Sequence, residues 1–125
     1  MRVRSETLNT LIDCTYEAAV RPQLWRTVLH DISETFGADG ASLFAWPYGE
    51  ENAVWSKGLD GLAEQFFACG WHTRNLRFSR ALSVYQAKSV YTEADLFSAE
   101  ELDTLPFNTK LINPSFYNCF FTVKN

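Results

Sequence analysis

Catalysis needs positioned acids, bases or nucleophiles, and the sequence supplies few. Its two histidines are His30 and His72, and its three cysteines are Cys14, Cys69 and Cys119. Cys69 and His72 stand at a two-residue gap that superficially suggests a metal pair. Only Cys14 and Cys119 remain to complete a tetrahedron, and neither is paired in sequence, so no metal site is expected. His30 falls within a helical pattern, where a surface or packing role is the ordinary outcome. A glycine-rich phosphate loop and a nucleophile elbow are both absent from the sequence. No catalytic residue, metal or cofactor is assigned, and the chain is not expected to be an enzyme.

Binding chemistry is better represented. From Gln65 to Thr92 there is no Asp or Glu, while Arg74, Arg77, Arg80 and Lys88 all fall inside. Arginines at every third position of a helix lie near one face and suit an anionic ligand, a phosphate or an acidic partner. The alternative is a solvated face, or pairing with Glu93, Asp95, Glu100, Glu101 and Asp103 just downstream, and this second outcome is favoured. The rings of Phe44, Trp46, Trp55, Phe66, Phe67 and Trp71 can line a small-molecule pocket or fill a core, and core is the commoner fate. The candidate ligand-binding set is Phe44, Trp46, Trp55, Phe67, Trp71 and Arg77.

The elements that must hold these side chains can be read in order. Ser5 is placed to cap a helix in which Leu8, Leu11, Ile12, Thr15 and Ala19 recur, and Arg21 before Pro22 ends it. Pro22 suits the start of a second helix carrying Trp25, Val28, Leu29, Ile32 and Phe36, with Gly37 as a left-handed cap. The run Ala41 to Trp46 is apolar on both alternating faces, so both faces should be covered, with the helices on the Ala41, Leu43 and Ala45 side. Pro47 to Asn52 reads as a turn, and Ala53 to Lys57 as the antiparallel return strand. Asp60 is a plausible cap for a third helix with Leu62, Phe66, Phe67, Cys69 and Trp71, which Gly70 weakens, and a shorter helix covers Leu76 to Leu82. Ser89-Val90-Tyr91 suggests a short strand. Thr92 with Asp95 and Ser98 with Glu101 form two patterns like capping boxes, and Asn113-Pro114 looks like a last helix start running through Phe120.

Composition agrees with a folded domain. A chain of 125 residues can bury roughly two-thirds of the surface its unfolded form exposes. With 46% hydrophobic and 15% aromatic residues, the material for a core is present. The net charge of -4 argues against nonspecific attraction to DNA. No apolar run is long enough to cross a bilayer or to act as a signal peptide, so a cytoplasmic protein with reduced thiols and no membrane partner is expected.

The residues Leu11-Ile12-Asp13, Tyr16-Glu17-Ala18-Ala19, Pro22, Leu24-Trp25, Val28-Leu29 and Phe36-Gly37-Ala38-Asp39-Gly40-Ala41 resemble the amino-terminal region of LuxR-type helix-turn-helix transcriptional regulators with a GAF- or PAS-like sensor. The likeness continues more weakly through Ser56-Lys57-Gly58-Leu59-Asp60 and Phe116-Tyr117-Asn118, and it rests on packing and turn residues. It implies an α+β sensor-like domain over residues 1–125, a GAF/PAS-like antiparallel sheet with helices packed on it, expected to be incomplete in this chain. It also implies a small-molecule ligand and a homodimer. The family's DNA-binding segment has no counterpart in these residues, so no direct DNA binding is expected. In the acyl-homoserine-lactone branch Trp71 would stand for the ligand-reading tryptophan, but no acidic residue between Glu64 and Glu93 supplies the aspartate, and that ligand class is disfavoured. The alternatives are a ligand-free dimerisation module and, more remotely, a small metal-binding or hydrolytic protein that would need His72 buried beside a second polar group.

Overall fold

A computed structural model describes residues 2–45, 49–74, 76–84, 90–106 and 122–123. The fold is mixed helix and strand, as the α+β expectation has it, and the chain divides into two compact units, Met1–Glu64 and Gln65–Asn125.

The first unit opens with α1 (Ser5–Val20) and α2 (Trp25–Phe36). The Arg21-Pro22 corner is where the sequence puts it, with Pro22 at the head of a 3-10 turn, Pro22–Leu24. Gly37 closes α2 at φ 68°, the left-handed conformation that only glycine adopts without strain. Ser5 is the first helical residue rather than the cap. Arg4 holds that position and makes no side-chain cap bond.

The two helices pack on each other, and the buried positions include the small residues Ala18 and Ser33, which let helix backbones approach. The Ser33 hydroxyl donates to the His30 carbonyl at 2.7 Å, so its burial leaves no orphan donor. The period of α1 is as expected but its inward face is another: Leu11, Cys14, Thr15 and Ala18 are turned in, while Leu8, Ile12 and Ala19 are exposed. Two apolar rows run along this helix, and periodicity alone does not say which one meets α2.

Strands β1 (Ser42–Phe44) and β2 (Ala53–Trp55) pair antiparallel, Leu43 opposite Val54. Bonds from Ala45 N to the Asn52 carbonyl and from Ser56 N to the Ala41 carbonyl, both 2.8 Å, extend the ladder by one residue at each end. Every strand position is half-buried and Ala45 is exposed, so the full cover expected for both faces is not present among the described residues. Two strands cannot shield themselves, and α2 packs against β2. Lys57 lies in a 3-10 turn, Lys57–Leu59, and not in the return strand.

The parts of the chain around Gly40 and Leu59 meet closely. A Cβ on Gly40 would come within 2.3 Å of the Leu59 side chain, which is itself buried. Buried Ser56 accepts the Ala41 N–H at 3.0 Å. Helix α3 (Asp60–Ala68) starts at Asp60, whose carboxylate bonds Arg26 at 2.6 Å. Asp60 is therefore a helical residue paired with another helix rather than the cap read from the sequence.

In the second unit α3 stops at Gly70, left-handed at φ 73°, and Trp71 falls beyond the helix in a 3-10 turn, Trp71–Thr73. Next come α4 (Leu76–Val84), β3 (Val90–Tyr91), α5 (Glu93–Leu96), α6 (Ala99–Thr104) and β4 (Thr122–Val123). Both capping boxes form as read, Thr92 with Asp95 and Ser98 with Glu101. Val90 pairs with Val123 and Tyr91 with Thr122 in a second antiparallel sheet, whose return strand is not among the expected elements. The helix expected from Asn113 to Phe120 lies outside the described residues. Among the described residues no helix is long and apolar enough to cross a membrane.

Candidate functional site

The arginine row and the rings meet in the second unit. Gly70 turns the chain so that Trp71 is buried, and the Arg74 guanidinium lies 4.1 Å from the centre of its ring, a cation–π distance. An Arg74 nitrogen donates to the Cys69 carbonyl at 3.0 Å, one of the acceptors left over where α3 ends.

Arg77 and Arg80, one turn apart on α4, take the acidic partners that the sequence offered them. Arg77 bonds the Glu93 carboxylate through Nε and a terminal nitrogen, with side chains only 12% and 7% exposed. Arg77 sits in the first turn of α4, the wrong end of a helix for a cation, and Glu93 compensates for that placement. Glu93 Oε2 is buried and has no hydrogen-bond partner among the described residues. Arg80 reaches Glu101 at 2.7 Å and donates to the Leu96 carbonyl at 3.0 Å. The other Glu101 oxygen accepts the Ser98 N–H at 3.1 Å, closing the capping box. The Arg80 hydrogen bond first, then the Ser98 backbone bond, lowers the Glu101 carboxyl from 4.5 to about 2. The same contact raises Arg80 above its usual value.

Phe97 lies between the two boxes, buried, with Arg80 4.6 Å and Arg77 5.7 Å from its ring centre. The capping bonds on either side fix the backbone around it, so the ring has little freedom to withdraw.

Trp71, Leu76, Phe97, Leu105 and Pro106 enclose a partly open cavity of about 330 Å³ whose charged lining is Arg74 and Arg77. Its size is at the low end of the roughly 300–1,000 Å³ of small-molecule sites, and mostly apolar walls with a few polar groups are their usual make-up. A shallower groove of about 350 Å³ on α1 and α2 is lined by Thr7, Thr10, Leu11, Asp31, Glu34 and Thr35. It offers no ring and no cation, so the partly open cavity of the second unit is the better candidate.

Of the six residues picked from the sequence, Trp71 and Arg77 line this cavity. Phe44 and Trp55 belong to the first unit, where they meet edge to face with centres 5.5 Å apart as diagonal neighbours across the strand pair. Phe67 meets Phe66 edge to face and His72 at a tilt, at 5.0 and 5.2 Å between ring centres. Trp46 lies outside the described residues, as does Lys88. Leu76, Phe97, Leu105 and Pro106 are lining residues that the sequence pattern does not single out, and Arg74 enters only as a member of the arginine row. The signal for Phe97 was present, because an apolar residue flanked by two capping boxes is held in place by both.

His72 Nδ1 is buried without a hydrogen-bond partner among the described residues, and the ring faces Phe66 and Phe67 rather than a second polar group. Cys69 is exposed and Cys14 half-buried. Among the described residues no three His, Cys, Asp or Glu side chains come together as metal ligands. The chain matches no family model, no curated protein and no solved structure.

Proposed function

We propose that these residues are the small-molecule-sensing part of a LuxR-type bacterial transcriptional regulator, an α+β fold of GAF- or PAS-like character that acts by binding rather than by catalysis. The observation that carries the reading is the cavity walled by Trp71 and Phe97, with Arg74 and Arg77 in its lining. Its support from the sequence is the likeness of residues 11–41 and 56–60 to that family. Contact with DNA is not assigned to this segment, whose net charge is -4.

The test is a fragment screen followed by isotope-edited NMR, on the natural chain and on Leu76→Trp, which narrows the mouth of the cavity from an exposed position. Fragments that raise the melting temperature of the natural chain and lose at least about tenfold in affinity for Leu76→Trp support the reading. A screen in which no fragment moves a resonance of Trp71, Phe97 or Leu105 removes it.

A second reading, chain pairing without a ligand, is favoured by α1. Leu8, Ile12, Tyr16 and Val20 form one row at i+4 spacing about 18 Å long, exposed to solvent, with Tyr16 and Val20 exposed by 75% and 81%. Such a row is a ridge that packs into the groove beside the same ridge of a second copy, and a two-fold pair needs a self-complementary patch of this kind. Sedimentation equilibrium tests the pairing and the fragment screen tests the ligand: a dimer that Tyr16→Glu converts to monomer supports pairing through α1, and a monomer at high micromolar concentration excludes it.

A further inference from the structure

We infer that the cavity of the second unit takes a small amphipathic monoanion, a single ring or short acyl chain bearing one carboxylate, with Arg74 as the residue that reads the charge. The inference rests on the sensing reading and adds the ligand's chemical class to it.

The argument comes from what the three arginines do. Arg77 is neutralised by Glu93, and Arg80 by Glu101. Arg74 meets no carboxylate among the described residues; its contacts are the face of Trp71 and the Cys69 carbonyl. The stretch Gln65 to Thr92 contains no acid, and Glu93 and Glu101 downstream are already engaged by Arg77 and Arg80. The one cation of the row without an acidic partner is therefore at the cavity, beside apolar walls.

The Arg74 guanidinium lies 4.1 Å from the Trp71 ring centre and uses one nitrogen on the Cys69 carbonyl, which leaves it further N–H donors for an oxyanion such as a carboxylate. Trp71 and Phe97 supply surface for a ring or chain. A neutral ligand would gain nothing from the Arg74 charge. Among the described residues that line the cavity a polyanion would meet one cation without an acidic partner, and about 330 Å³ leaves little room for it.

The experiment compares matched acids and amides of one shape: phenylacetate against phenylacetamide, and hexanoate against hexanamide, by calorimetry at low and high salt. The expected result is that each acid binds about tenfold or more tightly than its amide at low salt, with the ratio shrinking as salt screens an exposed cation. Arg74→Gln, a change at an exposed position, should bring the ratio near one. Arg80→Gln, which does not line the cavity, should leave it unchanged, and thermal melts show that both variants are folded. Equal binding of acid and amide at Trp71 overturns the inference and leaves the sensing reading standing. A preference for the acid that survives in Arg74→Gln overturns the role of Arg74. Failure of all four compounds overturns the ligand class, and only an empty fragment screen removes the sensing reading with it.

Discussion

Arg26 and Asp60 in the first unit meet at 2.6 Å with about half of each side chain in solvent, 48% and 60% exposed, whereas Arg77 and Glu93 in the second meet with 12% and 7% exposed. The two pairs have the same chemistry and opposite consequences. A pair in water can lose a partner to solvation at little cost, but a charge left alone in the interior has nothing to replace the partner. The first unit is accordingly held by helix packing, a strand pair and the Gly40–Leu59 contact. The second depends on carboxylates placed by capping boxes and on guanidiniums stacked over rings. The residues that carry the proposed likeness fall mostly in the first unit, and the ring-lined cavity lies in the second.

The largest expected effect follows from that contrast. Glu93→Ala should destabilise the chain by about 3–5 kcal/mol in urea melts, because it strands the Arg77 charge. Replacing both partners with Arg77→Met and Glu93→Leu should recover most of the loss. Asp60→Asn should leave the melting curve nearly unchanged, and a large loss there would erase the difference between the units.

Next is the contact that distinguishes the first unit. Gly40→Ala should cost about 1–3 kcal/mol, since the added methyl would overlap the buried Leu59 side chain. Combining it with Leu59→Ala in a double-mutant cycle should give strongly non-additive energies. Additive losses would mean that the close approach is not what constrains Gly40.

A smaller effect is expected at Ser98→Ala, about 1 kcal/mol, through loss of the bond from Glu101 N to the Ser98 hydroxyl at 3.2 Å. Faster hydrogen exchange confined to α6 and its neighbours would report it.

The smallest is a pH effect. Glu101 is lowered in the folded state from 4.5 to about 2, so the folded chain holds this proton less tightly than the unfolded one. Its contribution is complete above about pH 4.5 and fades as pH falls toward 2. Melting temperatures across that window should fall less steeply in Arg80→Gln, which removes the main cause of the shift. Identical slopes would show that the pair contributes nothing in solution.

Much of the fold could be read from local chemistry. The Arg21-Pro22 corner, the Gly37 cap, the β1–β2 pair and both capping boxes each depend on a few neighbouring residues. What could not be read depends on distant partners. Whether α1 turns in Leu11 or Ile12 is decided by α2, and the pairing of β3 with residues 122–123 spans about thirty positions. The site divides the same way. The acid-free arginine row and the carboxylates waiting downstream were visible, and so was the preference for pairing them with one another. That Arg74 would be the member left over was not, because the spacing treats all three alike. Phe44 and Trp55 were grouped with Trp71 by ring type, while their positions place them in the other unit.

The central claim, that binding belongs to the second unit and the first is frame, is tested most directly by fluorine NMR on the chain labelled with 5-fluorotryptophan. Its four tryptophans are Trp25, Trp46, Trp55 and Trp71, and Trp25 and Trp55 report on the first unit. Titration in turn with phenylacetate and with its amide should move the Trp71 resonance and leave those of Trp25 and Trp55 in place. Movement of Trp25 or Trp55 with Trp71 unchanged would put the site in the first unit and contradict the account.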